Sequence, residues 1–357
     1  MKTRGIALLF CLVFMGVGAA CRRAADRVPQ NIGPLEGVQT PSSMAAEGND
    51  LFVVDENHVV RVYSIDPFAL RFTVGGKGDG PQELKYPPSL WITAETIVVS
   101  DFLKSLWFTR GGPFLKAVAY SDFPDFNTGQ EMQLFPAGNR LLRNIVDHAT
   151  RKRTVILLDA ELRPLGTLYE GLFDWNQVGG QSGFNLLTHR IEVAAGDGEI
   201  FVSDTEKGFF IRVFDLDGNT VATIDLTSSE ESVPVSEDDR GRLLEEVRRT
   251  RSENVYNYAA ANARYPDAFP RIHHVRYSGG RLYVTTHREK EGLHEMLVLD
   301  TRGKVLDRLF LPIPSFHHFR GPFRSDLFAA SGGALYELVQ NPETRVWELL
   351  RTGLSKR

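Results

Sequence analysis

LFVVDENHVVRVYSID, Leu51 to Asp66, is a pair of β-branched and aromatic runs joined by a short polar turn, and the chain keeps returning to it. The same pattern reads TIVVSDFLKSLWFTRGG from Thr96, NRLLRNIVDHATRKRTVILLD from Asn139 and EIFVSDTEKGFFIRVFDLDG from Glu199. RLYVTTHREKEGLHEMLVLDTRG from Arg281 and SDLFAASGGALYELVQ from Ser325 complete the set. Apolar runs bounded by Asp, Asn and Gly are strands closed by tight hairpins. A self-similar unit of roughly 40–45 residues with four strands marks a radial β-repeat, whose single sheet cannot bury both of its faces alone. The sequence therefore predicts an all-β fold, a six-bladed β-propeller over residues 35–357.

Each unit parses into strands A to D. Strand A is SLWIT (Ser89–Thr93), RIEVAA (Arg190–Ala195) or IHHVRY (Ile272–Tyr277), and hairpins such as RVFDLDGNTVATIDL (Arg212–Leu226) supply C and D. In a ring of such sheets the A–B and C–D turns fall on one face, and the B–C turns and D-to-A connections on the other. The C–D turns stay short, whereas Gly75–Pro88, Glu170–His189 and Thr227–Arg271 are long, so length variation is predicted on one face only. Loops carried by a rigid scaffold are where function concentrates. The longest, 227–271 between blades 4 and 5, predicts a helical insert. Ser236-Glu237-Asp238-Asp239 resembles a capping box, and Leu243, Leu244 and Val247 recur at helical spacing. A second helix is predicted from Asn254 to Ala263.

The N-terminus predicts export. Lys2 and Arg4 precede the apolar GIALLFCLVFMGV, which is too short for an ordinary membrane span, and Gly18-Ala19-Ala20 supplies small residues for cleavage. Of the two cysteines, Cys11 lies in the removed segment and Cys21 follows the cleavage residues, so residues 1–20 read as signal peptide. Gly18-Ala19-Ala20-Cys21 resembles a bacterial lipobox, with Gly18 where leucine is usual; that resemblance implies lipidation of Cys21, a membrane anchor, and a tether over 21–34. The formal net charge is −4 and no basic stripe is present, which argues against a nucleic-acid partner.

GGKGDGPQELKYPPSLWI, Gly75 to Ile92, resembles the G-x-G-x-GP-G-E-F-x-x-P signature of NHL-like six-bladed β-propellers at Gly76, Gly78, Gly80, Pro81, Glu83 and Pro87. Gln82 and Leu84 stand where that signature has glycine and phenylalanine. The strand-B aspartates Asp55, Asp101 and Asp204 also fit it. By residue chemistry these aspartates and Glu83 are expected to accept bonds from loop amides.

Two chemistries compete. His189, Arg190, His273, His274, His317 and His318 are expected at the inner strands or their mouths, a placement that would let neighbouring blades bring imidazoles together near the axis. Three histidines suffice for an open zinc site, and the resemblance implies a channel enzyme, a metal-dependent lyase or lactone hydrolase using zinc or calcium. Adjacent histidines on a strand point to opposite faces, so at most one of each pair looks inward. The other chemistry is recognition: Phe173, Trp175 and Phe184 lie in one long loop, and Tyr256, Tyr258 and Tyr265 in the insert. Aromatics stack on sugars and anchor peptides. The leading expectation is a cofactor-free binding module for a protein, peptide or glycan at the bacterial envelope.

Overall fold

The computed structural model describes residues 28–123, 130–147, 149–172, 184–187, 190–250, 252–318 and 327–354. Six four-stranded antiparallel sheets account for almost every strand, each with its strands in chain order apart from the last. Their inner strands are Ser43–Glu47, Ser89–Ile92, Gln130–Ala137, Ile191–Gly196, His274–Ser278 and Phe328–Ser331. Each contacts the next, and the sixth contacts the first, so the sheets close a ring. The chain is a six-bladed β-propeller.

Six apolar cores lie between blades. Phe52, Val54, Ile97 and Leu106 fill the gap between blades 1 and 2, and Phe201, Val213, Val284 and Leu297 that between blades 4 and 5. The gap that closes the ring, between blades 6 and 1, holds Met44, Leu51, Tyr63, Tyr336 and Leu349. Strands B and C are apolar on both faces because both are covered, as in any sheet packed between neighbours.

The last blade is composite. Its outer strand is Gln30–Pro34, from the start of the described chain, paired antiparallel with Trp347–Gly353. Leu35 N donates to Trp347 O (2.7 Å), and the Trp347 indole donates to Gln39 O (2.9 Å). Gln30–Pro34, expected within the tether, belongs instead to the ring. Its polar, Gly- and Pro-containing sequence hides a strand whose regularity comes from its partner.

All six outer strands are bulged against strand C: the extra residues are Ile32, Arg71, Leu115, Val221 and Leu306 in five blades, and both Leu165 and Leu168 in blade 3. An extra residue bends and twists an edge strand, which discourages pairing with another chain.

The insert lies between blades 4 and 5 as two helices, α1 (Glu237–Thr250) and α2 (Glu253–Asn262). Ser236 caps α1: its Oγ accepts from Asp239 N (3.2 Å) while Asp239 Oδ2 accepts from Ser236 N (2.9 Å), the reciprocal pair of a capping box. Leu243, Val247 and Ala259 form a separate core with Leu186, Leu187 and Phe269. Ala263–Arg264 pairs in parallel with Phe184–Asn185, joining the insert to the blade 3–4 connection. Glu230, Glu295, Arg288 and Arg308 then clamp the start of the insert to blade 5, with Arg308 Nη2 at 2.6 Å from Glu230 Oε1. Among the described residues no helix is long and apolar enough to cross a membrane.

Candidate functional site

The strand order fixes two faces. A–B and C–D turns form a turn face; B–C turns and D-to-A connections form a loop face, and the insert caps the latter. Where the blade 3–4, 4–5 and 5–6 connections meet under this cap, Leu186, Leu187, Arg190, Thr205, His273, His287 and His318 line a small cleft. Its cavity measures about 20 Å³, room for about one water. Blade 4 contributes through a backbone lock: Arg190 N donates to Thr205 Oγ1 (2.8 Å) and Thr205 N to Arg190 O (3.0 Å).

Blade 5 supplies the imidazoles. Its B strand, Arg281–Lys290, loses register with strand C between Thr285 and Glu289, so Thr286, His287 and Arg288 bulge from the ladder. Bulges re-aim side chains, and here His287 turns under the cap. Its ring stacks on Phe269 (centroids 4.7 Å) and meets the ring of His273 edge-on (4.9 Å). His287 Nδ1 lies 3.1 Å from His318 Nδ1. His273 Nε2 donates to the His317 carbonyl (2.9 Å), which leaves Nδ1 to accept from the Thr285 hydroxyl (3.2 Å). The His318 amide donates to Glu246 of α1 (3.2 Å), tying the blade 5–6 connection to the cap.

Burial dominates the electrostatics. It pushes His318 down to about 4, helped by nearby His294 and Arg242, and also lowers His294. Next along the connection, Ser315 donates through N (2.8 Å) and Oγ (2.7 Å) to Glu337, yet burial lifts this carboxyl to about 7. The cleft thus sets Arg190 beside closely packed, largely buried imidazoles. That set suits hydrogen bonding to a polar group of a ligand. For a metal the fit is poor: among the described residues no three His, Cys, Asp or Glu side chains are placed to hold an ion, and both nitrogens of His273 are engaged.

Only part of the predicted set converges. Arg190, His273 and His318 line the cleft, and His317 joins through its carbonyl. His274 points the other way, its Nδ1 2.5 Å from Glu192 Oε2 in the inner strand of blade 4, so the pair is split as strand alternation requires. His189, Phe173, Trp175 and Cys21 lie outside the described residues, and of Phe184 the backbone alone is described. Tyr256 and Tyr265 pack on the cap core, with the Arg240 guanidinium over the Tyr265 ring; Tyr258 is exposed. The expectation of an aromatic recognition patch therefore narrows, among described insert tyrosines, to Tyr258. His287 and His294 escaped the sequence reading, although both sit beside the blade 5 B–C turn and hence on the loop face.

The glycine-rich connection forms a second feature of the loop face. Glu83 Oε2 accepts from Gly80 N (2.9 Å), and a Cβ on Gly78 would fall 2.1 Å from that oxygen, which explains the glycine. Leu84, in the place of the signature's phenylalanine, is fully buried. Asp101 accepts from Lys85 N, Tyr86 N, Leu103 N and Lys104 N at 2.7–3.2 Å, joining this connection to its own B–C turn. Asp55 does the same for Thr40 and Glu56, while Asp204 takes one turn amide and the Tyr169 hydroxyl. Beside the loop a groove of about 290 Å³ runs past Asp79, Lys85 and Lys104.

No protein-family model and no curated protein matches the sequence. A protein of Bacteroides fragilis NCTC 9343 that is inferred to be exported superposes with a TM-score of 0.54 at 14% identity, over 93% of this chain and 97% of its own. BamB of Moraxella catarrhalis gives a TM-score of 0.35 at 12% identity, over 87% and 82% of the two chains. The Neurospora crassa Pan2 WD40 domain gives 0.42 at 9% identity, over 93% and 97%. At such identities the likeness concerns the fold alone.

Proposed function

We propose that this protein is an exported, Cys21-anchored binding module of the NHL-like propeller type, which captures a protein, peptide or glycan at the bacterial envelope on its loop face. One observation carries the reading. Three inter-blade connections and the helical cap converge on a single cleft bordered by Arg190, His273, His287 and His318. Among the described residues, the A–B and C–D turns of the other face are short. The cleft has room for about one water, so the ligand is seated across its rim, on loops that a rigid scaffold holds in place. The export part rests on residues 1–21 and accords with the description of the Bacteroides propeller.

The test is cross-linking in cells from a photoreactive residue at Tyr258 on the cap, compared with one at Arg302 on the turn face. The reading expects a discrete adduct from position 258 that is lost on Arg190→Ala or His287→Ala. A purified protein carrying stoichiometric zinc or calcium, with adducts absent from both positions, would favour the lyase or lactonase reading instead.

A further inference from the structure

The outer strand of blade 6 runs antiparallel to strand C, pairing Gln30 with Arg351 and Pro34 with Glu348. Strand C travels from the loop face to the turn face, so Gln30 stands at the turn face and Pro34 at the loop face. The chain therefore enters the ring from the side opposite the cleft. Residues 22–29 separate Cys21 from Gln30; at about 3.5 Å per extended residue they reach roughly 30 Å. An anchor at Cys21 keeps the turn face within that distance of a bilayer.

The same rim carries the repeated bulges. In each of blades 2 to 5 an aliphatic extra residue lies next to the C–D turn: Leu115, Leu165, Val221 and Leu306, which are 51%, 48%, 44% and 45% exposed, whereas the second extra residue of blade 3, Leu168, lies farther from the turn and is buried. A bulge at that strand position suffices to protect an edge whatever its side chain, as Arg71 shows in blade 1. The aliphatic choice in four successive blades needs another cause. Because each residue holds the same place in its blade, the ring sets all four at one height above a common plane. Separated contacts at one height fit a flat surface better than a pocketed protein partner.

We propose that the turn face is the bilayer-facing side of the molecule, touching the lipid–water interface through Leu115, Leu165, Val221 and Leu306, while the cleft is presented away from the membrane. The proposal rests on the reading of Cys21 as the lipid anchor. The turns of this face are richer in carboxylates than in cations, and Asp159, Asp215 and Asp300 are held by their own turn amides. Contact is therefore with zwitterionic headgroups rather than anionic ones, which such a face repels.

The mature chain has one thiol, Cys21, so the chain from Cys21 onward can be coupled to a maleimide lipid in phosphatidylcholine vesicles carrying a headgroup-proximal photoreactive lipid. Peptides holding Leu115, Leu165, Val221 and Leu306 should be labelled at least about five times more than those of α1 and α2. The variant with all four changed to Ser, its fold checked by circular dichroism, should lose that excess, and replacing a third of the lipid with phosphatidylglycerol should reduce it. Equal labelling of both faces, or an unchanged pattern in the Ser variant, overturns the proposal. The anchor is tested separately: the mass of the N-terminal peptide from cell membranes shows acyl chains on Cys21 or shows none, and an unmodified Cys21 removes the premise whatever the vesicles report.

Discussion

His287 and His318 meet Nδ1 to Nδ1 at 3.1 Å beneath the cap. One ring must donate and the other accept, so the contact breaks if both carry two protons. Phe269, from the return of the insert, stacks on His287 and lies against His318. The contact joins the blade 5 bulge, the blade 5–6 connection and the return of the insert in one cluster.

The pH dependence follows from two buried groups of opposite sign. His318 is pushed down to about 4 by burial, so the unfolded chain binds more protons than the fold between about 6.5 and 4. Its contribution is complete above that window and falls by about 3 kcal/mol as pH drops through it. Glu337 is lifted to about 7 by burial, so the fold holds its proton longer than the unfolded chain. Its contribution is complete below about 4.5 and is lost, by a similar amount of about 3 kcal/mol, as pH rises through 7. The two slopes oppose each other between pH 4.5 and 6.5. Urea denaturation across pH 4–8 should therefore be nearly flat there in the native protein. Glu337→Gln should leave a rise in stability with pH, and His318→Gln a fall. Parallel profiles for the two variants would contradict the assignment.

Asp101 should be worth more than Asp204. Removing its carboxylate strands four backbone amides, those of Lys85, Tyr86, Leu103 and Lys104. Asp101→Ala is expected to cost about 2 kcal/mol, since four part-buried amides lose their charged acceptor at once. Asp204→Ala loses one turn amide and a tyrosine hydroxyl, and about 1.5 kcal/mol is expected. Chemical denaturation of both variants checks the ranking.

The insert should loosen from its first turn. Arg308 bonds both Glu295, almost fully buried, and Glu230 at the start of the insert. Arg308→Ala leaves the more distant Arg288, at 3.5 and 3.8 Å, as the cation facing both carboxylates, with the Thr286 hydroxyl still donating to Glu295 (2.8 Å). A loss of about 2 kcal/mol is expected, and amide hydrogen exchange should rise in residues 227–236 before it rises in blade 5.

Ring closure makes a sharp boundary. Deleting residues up to 27 removes nothing from the described fold, whereas deleting up to 34 strips the outer strand from blade 6, uncovers the edge of Trp347–Gly353 and removes Ile32 from the closing core. The first truncation should leave the melting temperature unchanged. The second should lower it by more than about 10 °C, as loss of several kcal/mol in a large domain does.

The repeat was legible because each B–C hairpin is covered on both faces, so its residues are apolar throughout, as in Leu51–Val54 and Ile97–Val99. The capping box at Ser236 was legible because capping is a local bond between residues three apart. Gln30–Pro34 was not: its partner lies more than 300 residues away, and outer strands need little apolar character. The cleft was half legible. His273 and His318 stood in predicted strand or loop positions, but His287 was placed by a register shift between Thr285 and Glu289 that no periodicity records. His274, adjacent to His273, went to Glu192 for the same reason that strands alternate.

The claim that the loop face binds a ligand is tested most directly by photo-cross-linking in cells from position 258, with position 302 as the control on the turn face. A single adduct species from 258 alone, abolished by His287→Ala while the variant stays folded, is the predicted result. Protein adducts from 302 and none from 258 would contradict it.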